Sequence, residues 1–238
     1  MSETKKYELT SETLQYEGCT LHRIKALKDF GPFKAGELGG WIESEENLSQ
    51  ANNAWVYGDA KVFGDAKVFG DAEIFGNAEI CDNACVFGNA WVYDEAKVRD
   101  NAGAFGNAWV YGNAEIFGNA EICDNAEICD NAMVYGLATV GGKAEIGDKA
   151  SIADNAEIRG NAKVRDNADY IVFKDFWSNR RYFTWTRSNN KWKVGCFYGT
   201  GEELIKKAYA DSEISGREYE RVVRYVEGIL ADEKKKSN

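Results

Sequence analysis

The chain has 238 residues, 44% of them hydrophobic, which is enough to bury a sizeable core in one or two domains. No apolar run is long enough to span a bilayer and Met1–Lys6 is not an apolar signal segment, so we expect a cytoplasmic protein without membrane contacts. The formal net charge of −10 is uneven, because residues 54–168 hold 19 acidic and nine basic side chains whereas residues 169–238 are mildly basic.

The six cysteines indicate neither a zinc site nor a disulfide framework. They form no C-x-x-C pair, and the chain has one histidine, His22. Cys81, Cys123 and Cys129 occupy positions that hold aromatic residues elsewhere in the repeat described below. We therefore expect reduced cysteines that replace aromatic rings, and no metal or other cofactor.

Residues 1–53 are predicted to form an N-terminal β cap. Two runs, Thr13–Tyr16 and Cys19–Ala26, flank the turn residues Glu17-Gly18 and predict a short hairpin. A turn-rich stretch with several glycines follows and leads into Trp41.

The middle of the chain is a six-residue repeat that begins with alanine. Alanine recurs at every sixth position from Ala54 to Ala168. From Val56 to Val164 the residue two positions after the alanine is Val or Ile in every repeat but one, where it is Ala104. Such regularity indicates one structural unit stacked on copies of itself. Six residues suit one short strand and one turn, so the pattern predicts a parallel β-solenoid over residues 54–168.

The spacing within each repeat predicts which side chains form the core. The alanine and the aliphatic residue lie two apart and point to the same, interior face, while the variable residue between them points outward. Gly or Asp then marks a bend, because these residues accept positive φ. Three bends per coil predict about six triangular coils at the ~4.8 Å strand spacing. Gly103 and Ala104 predict a local thinning of the wall.

Two features resemble known families. Hexads with a small residue two positions before an aliphatic one resemble the left-handed parallel β-helix of hexapeptide-repeat proteins, and the handedness is implied by that resemblance. The segment Leu21–Gln50, with L-H-R-I-K-A-L-K-D-F-G-P-F and G-G-W-I-E-S-E-E-N-L-S-Q, is similar to the start of bacterial YdcK-type proteins. The resemblance extends from about Tyr7 to Ala168. It implies the solenoid fold and, through the label of that family, a transferase activity.

Outward residues 18 apart stack on one another if each coil has 18 residues. Aromatic residues then form a large apolar surface on the N-terminal coils, and such patches usually mark an interface. We predict self-association into a trimer or dimer through this surface, with candidate residues Trp55, Tyr57, Phe75, Trp91, Tyr93, Trp109 and Tyr111. The alternative left open is that the rings only shield the backbone. Further columns are predicted for Phe69, Phe87 and Phe105, and for Lys61, Glu79, Lys97 and Glu115.

Residues 169–238 are predicted to form a separate α+β domain. Strands are indicated over 170–176, 181–187 and 191–198, and helices after the capping boxes that begin at Thr200 and Ser215. Basic and aromatic residues alternate in the hairpin and suit contact with a partner or with phosphate groups. The candidate partner-binding residues are Arg180, Arg181, Trp185, Arg187 and Trp192. A hairpin with a solvated basic face is the alternative, and we expect no nucleic-acid partner there.

The preferred function is a non-catalytic scaffold that self-associates and presents the C-terminal domain to a partner protein. An acyltransferase is the alternative implied by the hexapeptide-repeat resemblance, but such enzymes usually use a histidine base, and His22 lies outside the coils. A third hypothesis is an acidic mimic of nucleic acid or an inhibitor of a host protein, although nine basic residues interrupt the acidic surface.

Overall fold

The computed structural model describes residues 5–175 and 180–236. The chain divides into two compact units, Met1–Ala168 and Asp169–Asn238. Each unit has its own hydrophobic core.

The first unit begins with three strands, β1 (Tyr7–Tyr16), β2 (Cys19–Ala26) and β3 (Leu38–Ile42). β1 and β2 form an antiparallel hairpin around Glu17 and Gly18, both with positive φ, as the turn residues predict. β3 is antiparallel to β2 but parallel to a solenoid strand, with Ile42 opposite Val62. The N-terminal strands therefore extend one wall of the solenoid.

Nineteen two-residue strands follow at a spacing of six residues, each made of one outward residue and the core residue after it. They are β4 (Trp55–Val56), β5 (Lys61–Val62), β6 (Lys67–Val68), β7 (Glu73–Ile74), β8 (Glu79–Ile80), β9 (Cys85–Val86), β10 (Trp91–Val92), β11 (Lys97–Val98), β12 (Gly103–Ala104), β13 (Trp109–Val110), β14 (Glu115–Ile116), β15 (Glu121–Ile122), β16 (Glu127–Ile128), β17 (Met133–Val134), β18 (Thr139–Val140), β19 (Glu145–Ile146), β20 (Ser151–Ile152), β21 (Glu157–Ile158) and β22 (Lys163–Val164).

These strands form three parallel sheets, so the coils are triangular as predicted. The first sheet runs β1-β2-β3-β5-β8-β11-β14-β17-β20, the second β22-β19-β16-β13-β10-β7-β4 and the third β21-β18-β15-β12-β9-β6. Paired residues lie 18 apart, as in Trp91 opposite Trp109. The solenoid has about seven turns rather than the predicted six, because β3 and the bridge between Leu48 and Val68 supply a first turn that lacks the hexad pattern.

The solenoid core consists of the two residue types that the repeat predicts. The repeat alanines from Ala54 to Ala162 and the aliphatic residues from Val56 to Val164 are all buried. Ala168 is exposed, because it lies in the 3-10 turn Asn167–Asp169 after the last strand. β12 keeps its place in the third sheet although Ala104 is its core residue.

Polar side chains of the N-terminal segment satisfy carbonyl groups of the first turn. The Lys6 side chain is buried, and its Nζ donates to the carbonyl oxygen of Ala54 at 2.7 Å. Burial lowers the pKa of Lys6 to about 8. The hydroxyl of Tyr7 donates to the carbonyl oxygen of Leu48 at 2.6 Å. These bonds stabilise a solenoid end whose carbonyls have no preceding coil to bond.

The second unit contains four strands and two helices. β23 (Tyr170–Lys174), β24 (Tyr182–Thr186), β25 (Lys191–Val194) and β26 (Phe197–Gly199) form an antiparallel meander, followed by α1 (Gly201–Asp211) and α2 (Glu213–Lys236). The prediction of three strands is wrong, because Gly195 adopts a φ of 54° and divides the third into a hairpin. Phe176 of the first predicted strand, and the Ser178-Asn179 turn, lie outside the described residues.

The helices cover one face of this sheet. Thr200 and Glu203 form the predicted capping box of α1, whereas α2 begins before the predicted Ser215, whose N–H donates to the Ser212 hydroxyl. Buried Tyr219, Val223 and Val226 of α2 pack on the sheet in one apolar cluster. Within the described part of the chain, neither helix is apolar enough over a sufficient length to cross a membrane.

Candidate functional site

A column of four stacked aromatic rings runs along one corner of the solenoid. Tyr57, Phe75, Tyr93 and Tyr111 each follow a core residue of the second sheet, one coil apart. Their ring centroids lie 5.0, 4.8 and 4.9 Å apart and the ring planes are within 10° of parallel. The coil spacing brings the rings into face-to-face contact, which stabilises the column along its whole length.

Two tryptophans beside this column are the exposed part of the aromatic surface. Trp91 and Trp109 are the outward residues of β10 and β13, and their centroids are 5.4 Å apart with planes 5° from parallel. Their exposed fractions are 37% and 43%, whereas the four column rings are half-buried. Phe75 contacts Trp91 edge to face, which joins both groups into one surface. We call these six residues the aromatic wall.

Trp55 does not belong to the exposed surface, contrary to the prediction. Its side chain has no exposed area, because Tyr7, Phe30 and Phe33 of the N-terminal segment pack around its ring at 5.1 to 5.9 Å. Trp55 does point outward from β4, as predicted, but the N-terminal segment covers that face of the first turn. Phe33 also contacts Tyr57 at 5.4 Å, so the N-terminal segment closes the upper end of the aromatic wall.

Polar groups border the aromatic wall. The Tyr57 hydroxyl donates to Glu73 Oε2 at 3.0 Å, and the Tyr111 hydroxyl donates to Glu127. Burial together with the Glu127 hydrogen bond raises the pKa of Tyr111, so the phenol stays neutral. A shallow cavity of about 270 Å³ lies against Trp109, lined also by Asn107, Asn125 and Glu127. The wall therefore combines partly exposed indole rings with hydrogen-bonding groups at its rim.

The column ends where small and charged residues replace the rings. Below Tyr111 come Cys129, Gly147 and Arg165, and Arg165 Nη1 lies 3.8 Å from Cys129 Sγ. Glycine leaves room for this contact, because a Cβ at Gly147 would lie 2.0 Å from that guanidinium nitrogen and the arginine would have to move. The arginine thus crosses one coil and covers the end of the column.

The same arrangement recurs on a second corner. Phe69, Phe87 and Phe105 stack at 4.8 and 4.9 Å, as their spacing predicts, and Cys123 follows them. Arg159 Nη1 then reaches back over Gly141 to Cys123 Sγ at 3.3 Å. Burial raises the pKa of the Cys123 and Cys129 thiols above the usual range, although the neighbouring arginines oppose the shift, so both thiols are poor nucleophiles.

A third corner carries a ring stack that the sequence analysis missed. Phe117 and Tyr135 stack at 4.8 Å, and the guanidinium of Arg99 lies 4.2 Å above Phe117. This stack could have been predicted from the 18-residue period, because Arg99, Phe117 and Tyr135 follow one another at that spacing.

The predicted column of alternating charges is present on the first sheet, where Lys97 Nζ lies 3.0 Å from Glu79.

The candidate partner-binding residues of the second unit are not one surface. Trp185 and Trp192 are 1% and 2% exposed and belong to the core, because β24 and β25 direct them towards the helices. Arg187 forms an ion pair with Glu233 of α2, with Nη1 at 2.7 Å from the carboxylate. Arg180 and Arg181 are exposed. The prediction is therefore wrong for the two tryptophans, which the alternation pattern alone did not distinguish from surface residues.

Groups suited to catalysis are dispersed. His22 lies in β2, and its Nδ1 is 3.4 Å from the carbonyl oxygen of Thr10. Across residues 5–175 and 180–236, no three His, Cys, Asp or Glu side chains are grouped so that they could hold a metal ion.

Comparisons with known proteins give no family assignment. No protein-family model matches the chain. A search of curated proteins likewise found no match to its sequence.

Proposed function

We propose that this protein is a non-catalytic scaffold that self-associates through its aromatic wall. The observation that carries the proposal is the stacked pair Trp91 and Trp109, in which both indole rings remain partly exposed to solvent although they stack on each other. Large aromatic residues are enriched at interface centres, where Trp contributes strongly to binding. The half-buried column beside the pair enlarges the apolar area that a partner copy would cover.

The rigidity of the wall favours association. Phe75 and Tyr93 stack on the rings before and after them, and the two end rings of the column each stack on one, so few side-chain rotamers are lost when a second surface covers the column. The border of Asn107, Asn125 and Glu127 supplies the polar rim that interfaces usually have. Since the coils carry a net charge of −10, apolar contact must overcome repulsion between copies, and a dimer or trimer should be more stable at higher salt.

The hexapeptide-repeat family remains a proposal, supported by the regular alanines of the coils and by the triangular solenoid. The same proposal includes a left-handed solenoid and a relationship of Leu21–Gln50 to YdcK-type proteins. An acyltransferase is the second candidate on that ground alone. A saturable thermal shift with acetyl-CoA would support it.

The acidic coils favour the hypothesis that the protein mimics nucleic acid. Binding of this protein to a nucleic-acid-binding protein would support that hypothesis.

The scaffold proposal is tested by the solution mass of the full chain. Light scattering should give a dimer or trimer for the wild type and a monomer for Trp91→Lys/Trp109→Lys, because each lysine would place a charge in the apolar interface. A wild-type monomer across the micromolar range would refute self-association.

A matched control is available on another wall. Met133 and Leu137 are 39% and 57% exposed and lie outside the aromatic wall. Met133→Lys/Leu137→Lys adds the same two charges and should keep the oligomer. If both double variants dissociate equally, the added charge rather than the loss of the two tryptophan rings would be responsible, and the proposed interface would be wrong.

A further inference from the structure

The second unit contains a cavity of about 340 Å³ that no function described above uses. It lies between α1, the β25–β26 turn and Tyr219 of α2. Its volume is at the lower end of the range that small-molecule sites occupy, about 300–1,000 Å³. It can therefore hold a compact ligand or the last residue or two of a peptide.

The floor of the cavity is apolar. Val194, Leu204 and Ala208 line it, and each of them is almost completely buried in the core of the unit. Phe197 contributes a half-buried ring to one side. A ligand that fills this floor gains free energy by covering apolar surface, so part of it must be apolar.

Two basic side chains stand at the rim. Arg181 and Lys207 both line the cavity, and neither forms an ion pair with any described residue. Within residues 5–175 and 180–236, the Arg181 guanidinium makes one hydrogen bond, a long one of 3.4 Å to the Tyr219 hydroxyl. Among the described residues, no other group pairs with the Arg181 guanidinium or the Lys207 ammonium, so most donors of the first and all three of the second can bind a ligand.

One acidic side chain limits the charge of that ligand. Asp211 lies on α1 one turn after Lys207 and also lines the cavity. Two basic groups and one acidic group give the rim a net charge of +1, which suits a monoanion. A phosphate dianion would leave one of its charges without a compensating group and the apolar floor uncovered.

We propose that this cavity binds a carboxylate attached to a small apolar group. The carboxylate is held by Arg181 and Lys207, and the apolar group lies on Val194, Leu204 and Ala208. The C-terminal residue of a peptide and a free organic acid share this chemistry. The proposal does not depend on self-association through the aromatic wall, since all of its residues lie in the second unit.

Cys196 provides a direct readout of occupancy. Its thiol is exposed and lines the cavity, so a bound ligand should slow its alkylation. Full-length protein is treated with a maleimide at increasing N-acetyl-leucine, and modification of Cys196 is followed by peptide mapping. We expect saturable protection. N-acetyl-leucinamide, which differs only in lacking the charge, should protect at least about tenfold less well, as expected when a charge-assisted hydrogen bond is lost.

Matched variants identify the residues. Arg181→Ala and Lys207→Ala should each raise the half-protecting concentration about tenfold, whereas the neighbouring Arg180→Ala and Lys206→Ala, which do not line the cavity, should leave it unchanged. No saturable protection, equal protection by the amide, or equal effects of rim and neighbour variants would each refute the proposal.

Two further probes distinguish the sources. If an acetylated pentapeptide ending in leucine protects better than N-acetyl-leucine, the site is one for peptide C-termini. If octanoate protects as well as either, it is a site for free organic acids. Both results support the carboxylate site, and neither alters the light-scattering test of the scaffold.

Discussion

Single residues at the corners decide whether the coils can stack. Gly76, Gly112 and the equivalent glycines have φ near +70°, and aspartates such as Asp82 and Asp124 take the same conformation. The Asp124 carboxylate also accepts the N–H of Gly142 in the next coil at 2.9 Å. Glycine therefore adopts this positive φ without strain. Aspartate adopts it with some strain but adds a hydrogen bond between coils. The positive φ was predictable from residue type, but the bond between coils required the structure.

Gly112→Ala should lower the stability of the solenoid strongly. A Cβ there would lie 2.9 Å from the Asp130 nitrogen and 3.0 Å from its carbonyl oxygen. The corner would therefore have to shift, as corners that carry aspartate accommodate a Cβ, but without the bond between coils that the aspartate carboxylate adds. With the strain of φ = +70°, we expect a loss of about 3 kcal/mol in the free energy of unfolding, measured by urea titration.

Gly18→Ala is the matched control for that experiment. Gly18 has a φ of +86°, but nothing lies within 4 Å of a Cβ at this position. Only conformational strain remains, so the expected loss is about 1 kcal/mol. If both variants lose the same free energy of unfolding, the close contact between coils at Gly112 does not contribute to the preference for glycine there.

At the level of strands, the pattern within each hexad predicts which way a side chain points but not what covers it. Trp55 and Trp91 occupy equivalent outward positions, yet Phe30 and Phe33 bury the first while the second is exposed. The aromatic wall was therefore predictable except at its upper end. Trp192 alternates in its strand as predicted, but the face that carries it is covered by helices, and local periodicity holds no signal for such long-range packing.

Strand β12 offers a stabilising substitution, Gly103→Thr. Gly103 is an outward residue between Cys85 and Glu121, and a Cβ there would make ordinary contacts, the nearest at 3.7 Å to Phe105. Thr reduces the conformational freedom of the unfolded chain and favours extended backbone, so the free energy of unfolding should rise by about 0.5–1 kcal/mol. Thermal unfolding followed by circular dichroism measures the change.

Gly39→Ala in β3 serves as the opposite case. Its Cβ would lie 2.5 Å from Ile24 Cγ1 and 2.6 Å from the Val56 carbonyl oxygen, so the variant should unfold at a lower temperature than the wild type. A lower unfolding temperature for Gly103→Thr as well would mean that this stretch of wall does not accept a side chain.

For the whole first unit, the hexad predicts the sheets and the 18-residue coil, but not the number of turns. The first turn is built from Leu38–Ile42, Leu48 and Trp55–Val56, and only the last of these belongs to a hexad. Its carbonyls and apolar surface are covered by Lys6, Tyr7 and the β1–β2 hairpin instead of another coil. A repeat pattern describes stacking between equal units, and the end of a stack needs residues that break the pattern.

Because stability in such a stack is a sum over neighbouring coils, one coil can be removed whole. Deletion of residues 113–130 joins Gly112 to Asn131, which takes the place of Asn113, and Val110 then stacks on Ile146. We expect a folded solenoid of six turns. The urea m value of the first unit should fall by about one tenth, because m follows the surface exposed on unfolding and the deletion removes 18 of the residues in Met1–Ala168. Trp91 and Trp109 remain, so the oligomer should persist.

Deletion of residues 113–121 is the control for the coil deletion. It removes one and a half hexads and would place Asn125 at the core position of Ile116, where an amide has no hydrogen-bonding partner and destabilises the stack. The coils after the junction should then be cleaved rapidly in limited proteolysis, whereas those of the 18-residue deletion should resist. Equal cleavage of both variants would contradict a stack of interchangeable coils and indicate that residues 54–168 fold as a single indivisible unit.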